Sequence, residues 1–206
     1  MTASRTPTSR ARRTADSRAR ILDAAVECLV VGGYAGATTL AVQGRAGVSR
    51  GRLLHHFPSR EILLAAAAQH LAARRVHDAL DRASDELSGC VDEAARIDRV
   101  VELMWSTHHE PHYWAAVEMW TAARTNGGIA AAVLPEERRL GAVVRTVVDG
   151  MFGAELAARP GYPALRELLL TSMRGVALAY GFDPRDPADD PHLAQWKAAA
   201  RAMLAP

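Results

Sequence analysis

Apolar residues recur at intervals of three and four along most of the chain, and alternating β-branched runs are nearly absent. That spacing builds one-sided helices rather than pleated strands, so it predicts an all-α fold. From Ser17, the residues Ile21, Ala25, Cys28 and Leu29 share a face. Leu22 and Val26 lie beside them, and Arg18, Arg20, Asp23 and Glu27 fall off it. Gly32-Gly33 stops this helix, since glycine accepts the left-handed conformation at a helix end. A long helix is expected from Ser59 to about Leu87, and others at roughly 91–109, 111–125, 135–157, 162–180 and 191–204, with a short turn at 128–134. Pro111, Pro135 and Pro163 read as first-turn prolines, and Gly127-Gly128 as a break.

Charge is distributed unevenly. Residues 1–60 hold ten arginines against Asp16, Asp23 and Glu27, a net of +7, while the rest sets fifteen basic residues against twenty acidic ones, a net of −5. A basic head on an acidic body suits a polyanionic partner. No stretch of 18 uninterrupted apolar residues exists, so no membrane span is expected. The apolar run behind the first arginines is broken by Asp23 and Glu27, which does not suit a secretory leader. Cys28 and Cys90 cannot make a disulfide framework, and a cytoplasmic protein is expected.

Residues 1–14 lack periodicity and read as a disordered basic arm, with 15–62 as a head and 63–206 as a larger helical body. Within the head, TTLAVQGRAGVSRGRLLHHF (38–57) holds two short helices. Thr38 or Thr39 can cap the first, Val42 and Ala46 face inward, Gly47 allows the turn, and Ser49 caps the second. This is the helix-turn-helix layout, in which the second helix needs a polar outer face and an apolar face to brace it. Leu53, Leu54 and Phe57 can brace; Arg50, Arg52, His55 and His56 remain outside. Gly51 removes a side chain where the helix start must approach closely, and an arginine fork can read guanine O6 and N7. A lone R-G-R is more often a solvated surface helix. The whole segment carries more weight.

From Arg18 to about Leu71 the chain resembles the DNA-binding domain of the tetracycline-repressor (TetR) family, through RILDAAVECLVVGGY and TTLAVQGRAGVSRGRLLHHFPSREILL. Thr38 or Thr39, Val42, Ala46-Gly47-Val48-Ser49, Gly51, Leu53, His56-Phe57 and Leu63 or Leu64 match the family's pattern. Leu54 stands where the family has tyrosine, losing a phenolic phosphate contact. Gln43 replaces an alanine, as polar surface or an added groove contact, and Arg60 replaces a lysine. The resemblance implies contacts to the DNA backbone from Thr39, His56 and Arg60 and to base edges from Arg50, Arg52 and His55, with Gly51 at close approach. Arg18 and Arg20 can add phosphate contacts. Arg5, Arg10, Arg12 and Arg13 of the arm can reach the minor groove or simply form a diffuse positive tail. His56 is equally readable as an interior brace.

The body gathers Met104, Trp105, His108, Tyr113, Trp114, Met119 and Trp120 within seventeen positions, read as an effector pocket between helices, helped by Arg124, Arg145, Phe152 or Met173. Ordinary core packing carries equal weight. HHEPH (108–112) is not a zinc signature, because Pro111 breaks the helix between His108 and His112. No metal, cofactor or catalytic residue is expected. The resemblance further implies a homodimer through about 162–181 and 191–204. It also implies a pseudo-palindromic operator, an unidentified small-molecule effector and, most often, repression. The competing reading is a helical small-molecule-binding protein or enzyme whose basic head is incidental. A third is an interaction protein that uses the head on another acidic surface.

Overall fold

The structure, a computed structural model, describes residues 9–87, 89–90 and 92–205. Among them every regular element is helical. In order these are α1 (Ser9–Gly36), α2 (Thr39–Ala46), α3 (Arg50–His56), α4 (Arg60–Leu87), α5 (Glu93–Ser106), α6 (Pro111–Thr125), α7 (Gly127–Phe152), α8 (Ala154–Ala157), α9 (Tyr162–Ala179) and α10 (Pro191–Met203), with a 3-10 turn at Pro187–Asp189. The all-α expectation holds.

Two local expectations do not. α1 begins at Ser9, inside the stretch 1–14 expected to lack regular structure. Alanine and arginine are good helix formers and extend the helix backwards from Ser17; residues 1–8, Arg5 among them, lie outside the described residues. The turn expected at 128–134 is helical, and Pro135 sits inside α7 rather than opening a helix. An interior proline costs about 3 kcal/mol. Burial of Ile129 and Val133 before it, and of Leu140, Val148, Met151 and Phe152 after it, outweighs that, at roughly 1.5–3 kcal/mol for each large side chain. The true start is Asn126, whose side-chain oxygen accepts from the N–H groups of Gly128 and Ile129 at 3.0 and 3.1 Å.

Packing divides the described residues into two compact units. One holds the residues up to Ala72 with Ala115–Glu136, and the other Ala73–Trp114 with Glu137 onwards. These units cut the chain elsewhere than the expected boundary at 62/63. The first half of α4 stays with the first unit because Leu63, Leu64, Ala67, Ala68 and Leu71 are buried in its core.

The first unit packs around α1. Ile21, Leu22, Ala25, Val26, Cys28 and Leu29 are all buried, with Val42 from α2, Leu53 and Phe57 at α3, Met119 from α6 and Ile129 from α7. The stop expected at Gly32-Gly33 falls on Gly33, whose φ of 62° and ψ of −171° interrupt α1 in a region open essentially to glycine alone.

In the second unit α5, α9 and α10 meet one another. Buried indoles there keep their donors satisfied, as buried tryptophan must. Trp105 donates to the Pro187 carbonyl and Trp196 to the Ser172 hydroxyl, both at 2.9 Å. Arg96 donates to the Met151 and Phe152 carbonyls at 2.9 and 3.1 Å, so a side chain closes the end of α7 that no backbone N–H can reach.

Candidate nucleic-acid interface

Two hydroxyls set the frame of the α2–α3 pair. Thr38 Oγ1 accepts from Ala41 N at 3.1 Å and Ser49 Oγ from Arg52 N at 3.3 Å, each capping its helix as the residue types foretell. Between them Gly47 closes α2 with φ 61° and ψ 40°, and its N–H turns back on the α2 carbonyls.

The inner side of the pair is Val42, Leu53 and Phe57, all essentially inaccessible. Leu54, read from sequence as a brace, is 39% exposed and lies outside instead. The difference is angular: Leu53 and Phe57 are four apart and share a helix face, whereas Leu54 is turned about 100° away. Arg50, Gly51, Arg52 and His55 are exposed, and a Cβ built on Gly51 meets nothing within 4 Å. Among the described residues neither Arg50 nor Arg52 has a hydrogen-bond or ion-pair partner for its guanidinium. Thr39 and Gln43 are half-buried on α2.

His56 is half-buried beside the His55 and Phe57 rings, whose centroids lie 5.5 and 6.1 Å from its own. Burial pushes its pKa below the ordinary 6.5, and the nearby charges of His55, Arg52 and Arg18 push the same way. Arg18 reaches this end of α3 from α1, its guanidinium 5.5 Å from the centre of the Phe57 ring. Arg18 and Arg52 thus leave positive charge near His55 and His56, with no carboxylate partner for either guanidinium among the described residues.

Arg60 sits differently from what its place in the motif implied. Its Nε donates to the Ala37 carbonyl at 3.0 Å, a terminal nitrogen donates to the Tyr34 carbonyl, and the guanidinium lies 4.2 Å from the centre of the Tyr34 ring. It holds the connection between α1 and α2, and a phosphate contact would have to use what remains of its fork. Tyr34 and Glu118 also belong to this frame. Sequence reasoning had no signal for Glu118, since its partner lies 84 residues away.

The seven pocket candidates divide between the two units. Met104, Trp105, His108, Tyr113 and Trp114 belong to the second unit; Met119 is in the first unit's core and Trp120 packs against that core. In the second unit the rings interlock. Trp105 lies 5.9 Å from His108, 4.4 Å from His109, 5.7 Å from Tyr180 and 4.9 Å from Trp196, centre to centre. His108 lies 5.0 Å from Tyr113, which lies 5.6 Å from Trp114. Tyr180 and Trp196 join these rings, members the local clustering of residues could not reveal. Arg145, a suggested helper, pairs with Glu167 at 3.0 Å. The described residues contain no group of three or more His, Cys, Asp or Glu able to hold a metal.

Residues 21–67 match the family model of bacterial regulatory proteins of the TetR family. That segment is a TetR-family DNA-binding domain. The chain is similar to the HTH-type transcriptional repressor AcnR of Corynebacterium efficiens, 28% identical over 77% of this chain and 93% of AcnR. AcnR of Corynebacterium glutamicum is 34% identical over 40% of this chain and 45% of that protein. Among solved structures, a TetR-family member from Streptomyces coelicolor superposes with a TM-score of 0.61 at 20% identity, covering 91% of this chain and 98% of that one. FadR from Bacillus subtilis in complex with stearoyl-CoA gives 0.58 at 13% identity, covering 90% and 97%. A regulator from Saccharomonospora viridis in complex with choline also gives 0.58, at 20% identity and covering 92% and 96%. These structures share the fold of this chain, and the protein is a DNA-binding transcriptional regulator.

Two outcomes follow from the geometry. Arg60→Ala should lower folding stability by about 1.5–3 kcal/mol, the scale of a charged hydrogen bond, seen as a lower urea midpoint in the absence of DNA. Arg60→Lys should restore little of it, because an ammonium cannot reproduce the fork. His56 takes up a proton less readily folded than unfolded. Stability should therefore drop as pH falls through 6.5, the unfolded value, and recover above it. Urea midpoints at pH 7.5 and 5.5 should differ less in His56→Gln than in the wild type.

Proposed function

We propose that the protein is a homodimeric, ligand-responsive repressor that places two copies of α3 in successive major grooves of a pseudo-palindromic operator. The observation that carries this reading is the exposed, unpaired Arg50-Gly51-Arg52 start of α3, braced from behind by buried Leu53 and Phe57. Such a helix start meets base edges, and two-fold protein symmetry calls for a two-fold site. Arg50, Arg52 and His55 read bases; Thr38, Thr39, His56 and Arg18 lie against the backbone, Gln43 adds a groove contact, Gly51 permits close approach, and Arg60 acts first through the α1–α2 connection. Repression follows the named relatives. A small-molecule effector follows the choline and acyl-CoA complexes of similar folds. No enzymatic activity is assigned. No described helix is long and apolar enough to cross a membrane, which suits action in the cytoplasm on chromosomal DNA.

For the dimer the support is the outer face of α9. Leu165, Leu169, Met173 and Ala177 are buried within the protein, whereas Leu168 and Leu178 are 43% exposed and Phe182 is 82% exposed. Residues 168, 171, 175 and 178 of α9, spaced three and four apart, are all exposed, which is the pattern of a helix face made for a second helix, and Phe182 follows just beyond the helix end. On α10, Ala194, Ala198 and Ala202 are exposed at intervals of four and let a partner helix come close.

Selection of bound fragments from genomic DNA tests the reading directly: an inverted repeat should be recovered, and recovery of no preferred duplex would end it. Against that operator, Arg52→Ala should lose about 1–3 kcal/mol and relax preference at one base pair in each half-site. The double variant Leu178→Glu with Phe182→Ser should sediment as a monomer and bind the operator at least tenfold more weakly.

A further inference from the structure

The corner where α1 gives way to α2 is held by two side chains. Gly33 turns the chain out of α1, which takes the N–H of Tyr34 out of the regular helical pattern. The carboxylate of Glu118, on α6, accepts that N–H at 2.7 Å. It fits so closely that a Cβ built on Gly33 would lie 2.7 Å from the same Glu118 oxygen. Arg60 also donates to the carbonyls of Tyr34 and Ala37 and stacks on the Tyr34 ring. Ala37 is fully buried, and the next residue, Thr38, is the cap that begins α2.

We propose that Glu118 is a positioning residue for DNA binding: its carboxylate fixes the Gly33–Tyr34 corner and so the direction in which α2 and α3 are presented. The inference rests on the DNA-binding reading above. Only five residues separate Gly33 from the start of α2, so a rotation of the corner passes to the helix-turn-helix with little slack. A hydrogen bond of 2.7 Å is lost if α6 withdraws by about 1 Å. A displacement of α6 too small to disturb the apolar core therefore frees the corner. The oxygen acceptor and its reach place the corner; the carboxylate's charge strengthens the bond without setting its geometry.

That distinction sets the test. Glu118→Gln keeps an oxygen at the same reach, Glu118→Asp keeps the charge but falls one methylene short, and Glu118→Ala removes both. Binding of each folded variant to the selected operator duplex is measured by fluorescence anisotropy well below its melting temperature, with exchange of the Tyr34 amide followed in the free protein. Glu118→Gln should bind within about twofold of wild type, while Glu118→Asp and Glu118→Ala should bind about tenfold more weakly and lose protection at Tyr34. Equal operator affinity for folded Glu118→Asp and wild type overturns the proposal, as does a loss confined to melting temperature. So does a pattern in which Asp is tolerated and Gln is not. Should Glu118→Ala fail to fold, the Gln–Asp comparison decides. A wild-type protein that retains no duplex removes the DNA-binding reading and this proposal together; wild-type binding with indifferent variants removes this proposal alone.

Discussion

A seven-residue helix does not persist in water on its own, because nucleation costs more than so few hydrogen bonds return. α3 is such a helix, and the burial of Leu53 and Phe57 in the core built on α1 and α4 is what makes it a fixed object. Everything the interface does depends on that anchoring. With the apolar face held, the backbone at 50, 52 and 55 is fixed on a rigid support, so only the side chains remain to be ordered when DNA arrives. A polar residue at either anchor would leave the arginines on a frayed segment.

The arginines divide by what surrounds them. In the second unit Arg96 closes the end of α7, Arg166 pairs with Asp149 at 2.7 Å, and Arg159 pairs with Glu93 at 2.6 Å. In the first, Arg60 grips backbone carbonyls and Arg45 pairs with Glu27 at 3.1 Å. A chain with twenty-four arginines and one lysine cannot use all of them on DNA. Those near carboxylates or open carbonyls are absorbed into the fold, and Arg18, Arg50 and Arg52 are left facing solvent with no such acceptor among the described residues. Net charge by segment located the head but could not sort these two uses.

Much of the head was legible because its signals are local. A hydroxyl three residues before the N–H it caps, a glycine at a left-handed turn and an apolar face repeating every three or four residues all operate within one or two helical turns. Hence the assignments of Gly47, Ser49, Leu53 and Phe57, and of a cap at Thr38 or Thr39 that the structure gives to Thr38. Leu54 was misjudged because apolar character was weighed without its angle on the helix. Pro135 was misjudged because its local cost is real and only burial on both sides of it outweighs that cost. The aromatic group was legible as a composition anomaly, but which rings meet depends on Tyr180 and Trp196, brought in from far along the chain.

By itself, then, the sequence determined the class of the fold, the helix-turn-helix and the exposure of Arg50, Arg52 and His55 on α3, since periodicity and capping are properties of neighbouring residues. Only the tertiary structure decided that Arg60 serves the α1–α2 connection and that Glu118 meets Tyr34. It also decided that α6 divides between the units, with Tyr113 and Trp114 in one and Met119 and Trp120 in the other, and that the outer leucines of α9 stay uncovered. These are matters of which distant residues meet and which do not. Their outcome is set by how whole helices pack, which no short window of residues encodes.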